Sequence, residues 1–495
     1  MKKTLLILGA ILFQLNCFSQ PAIQWQKALG GLSDEYASCI QQTTDGGYIV
    51  AGSIHNYEAP DYWIVKLSVT GTIQWQITSG GSGYYYVSSI QQTTDGGYIV
   101  AGESITGNPG DLDYWVLKLS ATGAVQWQKT LGGSNWDGVE SVQQTTDGGY
   151  IVAGYTGSID GDVTLNHGGT DYWIVKLDST GTIQWQKTFG GSGQDYASST
   201  QQTADGGYIV AGSSNSYDGD VTGNHGSYDF WVVKLNATGT IQWQKSLGGS
   251  FIDDAYSIQQ TTDGGYIVAG NSNSTDFFIG NHGADDYWVV KLSTAGVIQW
   301  QKTLGGSGDD KAFSIQQTAD GGYIVAGVTY STDGDVTGNH GTYDYWIVRS
   351  DVTGTIQWQK TLGGSGDDRA FSIQQTADGG YIIAGMSNST DGDVTGNNGS
   401  YDYWIVKLEE DPLSTSDFQQ ERMVIYPNPA KSMLNLQLPN IVLINKIMII
   451  DLSGKIIMEQ TKDTKQVNTE GLASGMYLIQ AISGGNKWQS EFVKN

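Results

Sequence analysis

Three short runs each occur seven times along this chain, and that repetition constrains the fold more than any other feature. The run "IQWQ" or "VQWQ" places tryptophan at 25, 75, 127, 185, 243, 300 and 358. The run "DGGYIVAG", once "DGGYIIAG", begins at Asp45, Asp95, Asp147, Asp205, Asp263, Asp320 and Asp378. The run "DYW" or "DFW" places tryptophan at 63, 115, 173, 231, 288, 346 and 404. Within each motif the spacing is 50 to 58 residues. Each unit holds four strand-like runs, for example Ala312–Thr318, Tyr323–Gly327, Asp344–Arg349 and Thr355–Lys360, taken here as strands a to d. The a–b link "ADGG" and the c–d link "DVTG" are tight turns whose glycines accept positive φ. Glycine is 69 of 495 residues, about twice the usual share, as many tight turns between short strands require.

Strand c alternates with large apolar groups on both faces: Trp346 and Val348 one way, Tyr345 and Ile347 the other. A sheet of such strands must be covered on both sides by its neighbours. Seven four-stranded units stacked in this way fit a seven-bladed β-propeller. The ends agree: "AIQWQKALG" (Ala22–Gly30) is a lone d strand, and the last unit stops after "DYWIVKL" (Asp402–Leu408). The N-terminal strand is expected to complete the last blade and remove the exposed edge. An open β-solenoid, the alternative, would not need that phase shift. In an up-and-down blade the a–b and c–d turns share one rim, and the b–c loops and d–a links share the other. The second rim carries the length and variation, so it is the expected binding face.

That rim holds the most suggestive motif. "TDGDVTGNHGTYDYW" places Asp333, Asp335, Thr337 and Gly338 at positions 1, 3, 5 and 6 of a calcium loop, with Asp344 at position 12. Asp218 and Asp220 head a second copy, Asp391 and Asp393 a third, and Asp160 with Asp162 a fourth in which Leu165 replaces the glycine. The fifth unit keeps Asp276 but has Phe278 where the second aspartate would fall. Asp61 and Asp113 precede "YW" in units without an acidic loop, so the position-12 aspartate belongs to strand c. Self-capping Asp-Gly turns account for the rest without metal; calcium is the alternative. His167, His225, His282 and His340 recur in one loop motif, and Asn398 replaces them once, which points to structure over general-base chemistry.

Glu35, Glu58, Glu103 and Glu140 read as departures from the repeat; Glu103 and Glu140 are the candidate carboxylates for glycan chemistry. Tyr84, Tyr85, Trp136, Tyr217, Phe277 and Phe278 give the variable rim aromatic surface suited to sugars or a protein partner.

The termini set the compartment. "MKK", then "TLLILGAILFQL", then "NCFSQ" reads as a secretory signal peptide over residues 1–20. A lipoprotein signal with Cys17 lipidated is the alternative there. Removing it takes away Lys2 and Lys3 and moves the net charge from −25 to −27. An acidic surface of that kind repels nucleic acid and anionic membranes. Cys39 would be the one remaining thiol, in a place where other units carry serine. No later segment is long and apolar enough for a transmembrane span.

After a linker at residues 409–422 the composition changes to about 75 residues of alternating short strands, as in a small Ig-like β-sandwich. Residues 423–495 carry Tyr426-Pro427-Asn428-Pro429, then Asp451 to Lys455 with Gly454, then Gly471-Leu472, then Gly475-Met476-Tyr477, and a terminal "EFVKN". This closely resembles the type A C-terminal sorting domain of proteins exported by the type IX secretion system. The resemblance implies recognition by that machinery at the outer membrane, removal of the tail, and a body left on the surface or released. The expected chain is thus all-β: a propeller over 21–408 and a sorting domain over 423–495. Its expected role is binding or adhesion to a glycan or surface protein; a glycan-active hydrolase or lyase is the alternative.

Overall fold

Strand c decides the packing. Tyr345 and Ile347 enter one core cluster, while Trp346 and Val348 enter the next. The computed structural model describes residues 20–55, 60–78, 84–105, 112–276, 280–410, 424–437, 446–451, 455–461, 465–483 and 486–495. The expected signal peptide up to residue 19, most of the expected linker, and Glu58, Phe277, Phe278 and Gly454 lie outside them. The chain divides into two units, Met1–Leu413 and Ser414–Asn495.

Among the described residues of the first unit there are seven four-stranded antiparallel sheets. Blade 1 comprises Asp34–Gln42, Tyr48–His55, Pro60–Leu67 and Ile73–Thr78. The next five repeat the pattern in chain order. The seventh is Asp368–Gln375, Tyr381–Ser387 and Asp402–Leu408, completed by Ile23–Leu29 from the N-terminus. Trp404 Nε1 donates to Gln26 Oε1 at 2.8 Å across that closure. This is the propeller expected from the repeats.

Blade-to-blade contacts reuse the motifs. The tyrosine of "DYW" donates its hydroxyl to the carbonyl of the next blade's tryptophan, as in Tyr345 to Trp404 at 2.8 Å. Tyr403 makes the same bond to Trp63 at 3.0 Å, which joins the last blade to the first. Each "QQ" pair forms two rings around the axis. Gln41 Oε1 accepts from Gln92 N, and so on round to Gln374 Oε1 and Gln42 N, each at 2.6 Å. Cys39 replaces a serine of a parallel ring, and its thiol faces the Ile90 carbonyl at 3.7 Å.

The "DGG" turns are built alike. Their first glycine has positive φ, 81° at Gly46, which only glycine adopts without strain. The aspartate accepts from a threonine and from the second glycine's amide, and pairs with a buried strand-c lysine, as Asp45 does with Thr43, Gly47 and Lys66, or once with an arginine, Arg349 on Asp320. Partial burial works against ionisation there, but these bonds hold Asp45, Asp95, Asp147, Asp205 and Asp263 down at about 2. The strand-leading carboxylates go the other way. Burial, opposed by bonds from neighbouring histidines, raises Asp229, Asp286 and Asp344 to about 6.

The two sets have opposite linkage. A depressed carboxylate stabilises the fold above its unfolded pKa and loses that contribution as pH falls. A raised one binds its proton more tightly when folded, so its contribution is lost as pH rises. The propeller transition of the mature chain is therefore expected to peak in melting temperature near about pH 4–5 and to fall on both sides. Calorimetry from pH 2.5 to 8 checks this. A maximum at neutral pH contradicts it.

The second unit holds two antiparallel sheets. One joins Val424–Tyr426, Met433–Gln437 and Gln466–Asn468; the other joins Ile456–Gln460, Lys446–Asp451, Gly475–Ser483 and Asn486–Lys494. Leu434, Leu436, Ile447, Ile449, Ile479 and Phe492 form its core. Asn428 Oδ1 accepts from Val493 N at 2.9 Å, and Ala430 N donates to Val493 O at 2.7 Å, so the "YPNP" run is fastened to the C-terminal strand. Tyr477 stacks on Phe492 at 5.7 Å, and its hydroxyl reaches Ala473 O at 3.0 Å. Gly475 opens the strand that carries Tyr477.

Candidate functional site

Strand a of every blade carries a register shift, in blade 3 between Val139 and Ser141. A bulge leaves one extra residue unpaired and re-aims its side chain. The seven extra residues are Ser38, Ser88, Glu140, Ser198, Tyr256, Phe313 and Phe371, and all line one cavity of about 620 Å³. That volume is in the range of small-molecule sites, roughly 300–1,000 Å³. Tyr401 and Asp367, from a b–c loop and a d–a link, also line it, so it opens toward the loop-rich rim. A separate cavity toward the other rim is lined by the inner glutamine ring.

Near-identical repeats have thus built an unequal wall. Blades 5 to 7 supply an aromatic arc: Tyr256 and Phe313 have ring centroids 5.1 Å apart, Phe313 and Phe371 5.3 Å. Blades 1, 2 and 4 supply serines, and blade 3 supplies Glu140. Glu140 is exposed only in the sense that its side chain stands in the cavity. Desolvation by the surrounding wall, with repulsion from Glu103, raises its carboxyl to about 8. Glu103 lies on strand b of blade 2; burial raises it to about 7, against a bond from the Tyr155 hydroxyl at 3.4 Å. Gly138 makes room for this pair, since a Cβ there would meet the Tyr155 hydroxyl at 2.3 Å and Glu103 Oε1 at 2.5 Å.

Cations at the mouth are already matched. Arg369 makes two bonds to Asp367, at 2.7 and 2.8 Å, and lies 4.6 Å from the centre of the Tyr343 ring. Lys311 pairs with Asp285 at 2.8 Å.

The structure disperses the other sequence candidates. In the acidic loops, Asp333 Oδ1 accepts from Ser307 N at 2.7 Å and Asp335 Oδ2 from Gly305 N at 3.3 Å, which ties each b–c loop to the d–a link entering its blade. Asp218 with Asp220, Asp391 with Asp393, and Asp160 with Asp162 make the same bonds. Among the described residues no cluster of three or more potential metal ligands occurs. His340 bonds Asp344 through its backbone amide and Nδ1, both at 2.9 Å, which caps the start of strand c.

Of the outer aromatics, Trp136 and Tyr217 are exposed, at 61% and 69%. Tyr84 is partly exposed, and Tyr85 packs on Trp115 at 5.0 Å. None of these four lines the axial cavity. Glu35 is not a departure from the repeat. Its carboxylate accepts from Gly31 N at 3.1 Å, the bond Asp195 makes to Gly191 at 2.9 Å, so it is the consensus aspartate lengthened by one methylene.

Residues 424–495 match the family of secretion system C-terminal sorting domains. The chain therefore ends in a type IX sorting domain, which directs secretion. No curated protein matches the chain. Among solved structures it is similar to PorZ, described as an essential bacterial surface component of the type IX secretion system of Porphyromonas gingivalis, at 11% identity and a TM-score of 0.42. That likeness covers 91% of this chain and 58% of PorZ, so this chain spans less than two thirds of it. It is also similar to Sqt1 from Chaetomium thermophilum, at 12% identity and a TM-score of 0.41, over 77% of this chain and 100% of Sqt1. These likenesses carry no functional argument.

Proposed function

We propose that the mature propeller is a binding module, displayed on or released from the cell surface, that takes a glycan end into its axial cavity. The observation that carries this reading is the unequal wall: three adjacent aromatic rings line one open cavity together with serine hydroxyls and a glutamate. Aromatic faces stack on the apolar faces of sugar rings, while hydroxyls and carboxylates take up sugar hydroxyls. The exposed Trp136 and Tyr217 extend contact over the rim for a longer chain. Calcium bound at the Asp333–Asp335 type of loop would brace this rim without touching the cavity.

A glycan array probed with the mature chain tests the reading. Ser198→Trp, which fills the cavity, is expected to abolish the bound signals, while Trp136→Ala with Tyr217→Ala keeps most of them. The reverse pattern moves the site to the outer rim. A hydrolytic reading rests on the near-neutral Glu103 and Glu140 carboxyls, an arrangement that suits acid–base work. Assaying bound glycans for cleavage products separates it from binding alone.

A further inference from the structure

We infer that the axial cavity seats its ligand through an ammonium group held between Glu140 and the aromatic arc of Tyr256, Phe313 and Phe371, and that the ligand is an amino sugar. This rests on the axial-binding reading above and narrows its ligand class.

Three observations converge. An aromatic face attracts a cation, and here three neighbouring rings line the same open cavity as Glu140. Opposite them, no hydrogen-bond donor and no cation lies on the Glu140 carboxylate among the described residues, and its strongest charged neighbour is a second acid, Glu103. A carboxylate in that position is costly to keep charged unless a counter-ion arrives. The cations at the mouth do not supply one, because Arg369 is committed to Asp367 and Lys311 to Asp285. A neutral sugar could stack on the rings but would bring no counter-charge to the Glu140–Glu103 pair. An ammonium group answers the carboxylate and the ring faces together. Ser38, Ser88 and Ser198, on the remaining arc, offer hydroxyls to a polyhydroxylated ring, which favours an amino sugar over a lysine side chain.

Calorimetric titration of the full mature chain with three probes tests this: a glucosamine tetramer, its fully N-acetylated counterpart, and Nα-acetyl-lysine amide. The free-amine tetramer is expected to bind at least about tenfold more tightly than the acetylated one. Glu140→Gln is expected to erase that difference. Glu140→Ser should do the same, and blades 1, 2 and 4 carry serine at this position, so the fold accepts it. Phe313→Leu should weaken the free-amine tetramer. Equal binding of both tetramers by the unaltered protein overturns the ammonium inference and leaves the glycan reading standing. Binding of the lysine derivative with neither tetramer bound overturns the glycan reading itself. No binding of any probe overturns the inference.

Discussion

A chain lacking residues 21–30 is expected to lose the cooperative unfolding of its propeller. Ile23–Leu29 pairs along its length with Asp402–Leu408, from Ile23 opposite Leu408 to Leu29 opposite Tyr403. Without it the last blade has three strands and an unpaired edge. Trp404 loses the Gln26 partner of its indole, and Glu409 loses the Ala22 carbonyl. Trp25 and Leu29 are also withdrawn from the cluster that packs the first blade against the last. These side chains are partly buried against that cluster, a whole strand of backbone pairing goes with them, and the new edge can pair with another chain. The melting temperature should fall by more than about 10 °C, or the protein should associate through the open blade. A peptide of residues 21–30 supplied in trans should restore the transition. A truncated chain that melts as a monomer at the original temperature would show that the ring does not depend on this strand.

Removal of Ser414–Asn495 is expected to stop export while leaving the propeller folded. The lost segment is the sorting domain, which forms a unit of its own with its own core. Fractionation of cells should find the truncated protein in the periplasm, with material in the medium and on the surface reduced to background. Asn428→Ala is the finer test, because Asn428 fastens the "YPNP" run to the C-terminal strand. It should lower export without changing propeller stability. Normal release of the truncated chain contradicts the sorting assignment.

The ring was legible in the sequence because its causes are periodic. Strand c announces two buried faces through Tyr345, Trp346, Ile347 and Val348, and the phase shift at the termini announces closure. The cavity was less legible because its residues are aimed by a bulge. Strand alternation alone does not say which side chain the extra residue at Tyr256, Phe313 or Phe371 turns toward the axis. A signal was present. These residues fall three places before each "QQ" pair, where earlier units read serine or Glu140. The acidic loops show their regularity in the sequence but not their bonding partners. Their regularity resembles a metal site, yet Asp333 and Asp335 spend carboxylate oxygens on backbone amides of the adjoining link.

The most direct test of the account is a crystal of the mature propeller soaked with the glucosamine tetramer. The account predicts ligand density in the axial cavity, with a sugar ring against Phe313 and Phe371 and its amine within hydrogen-bond reach of Glu140. An empty cavity with the tetramer lying on the outer rim, at Trp136 or Tyr217, would contradict it.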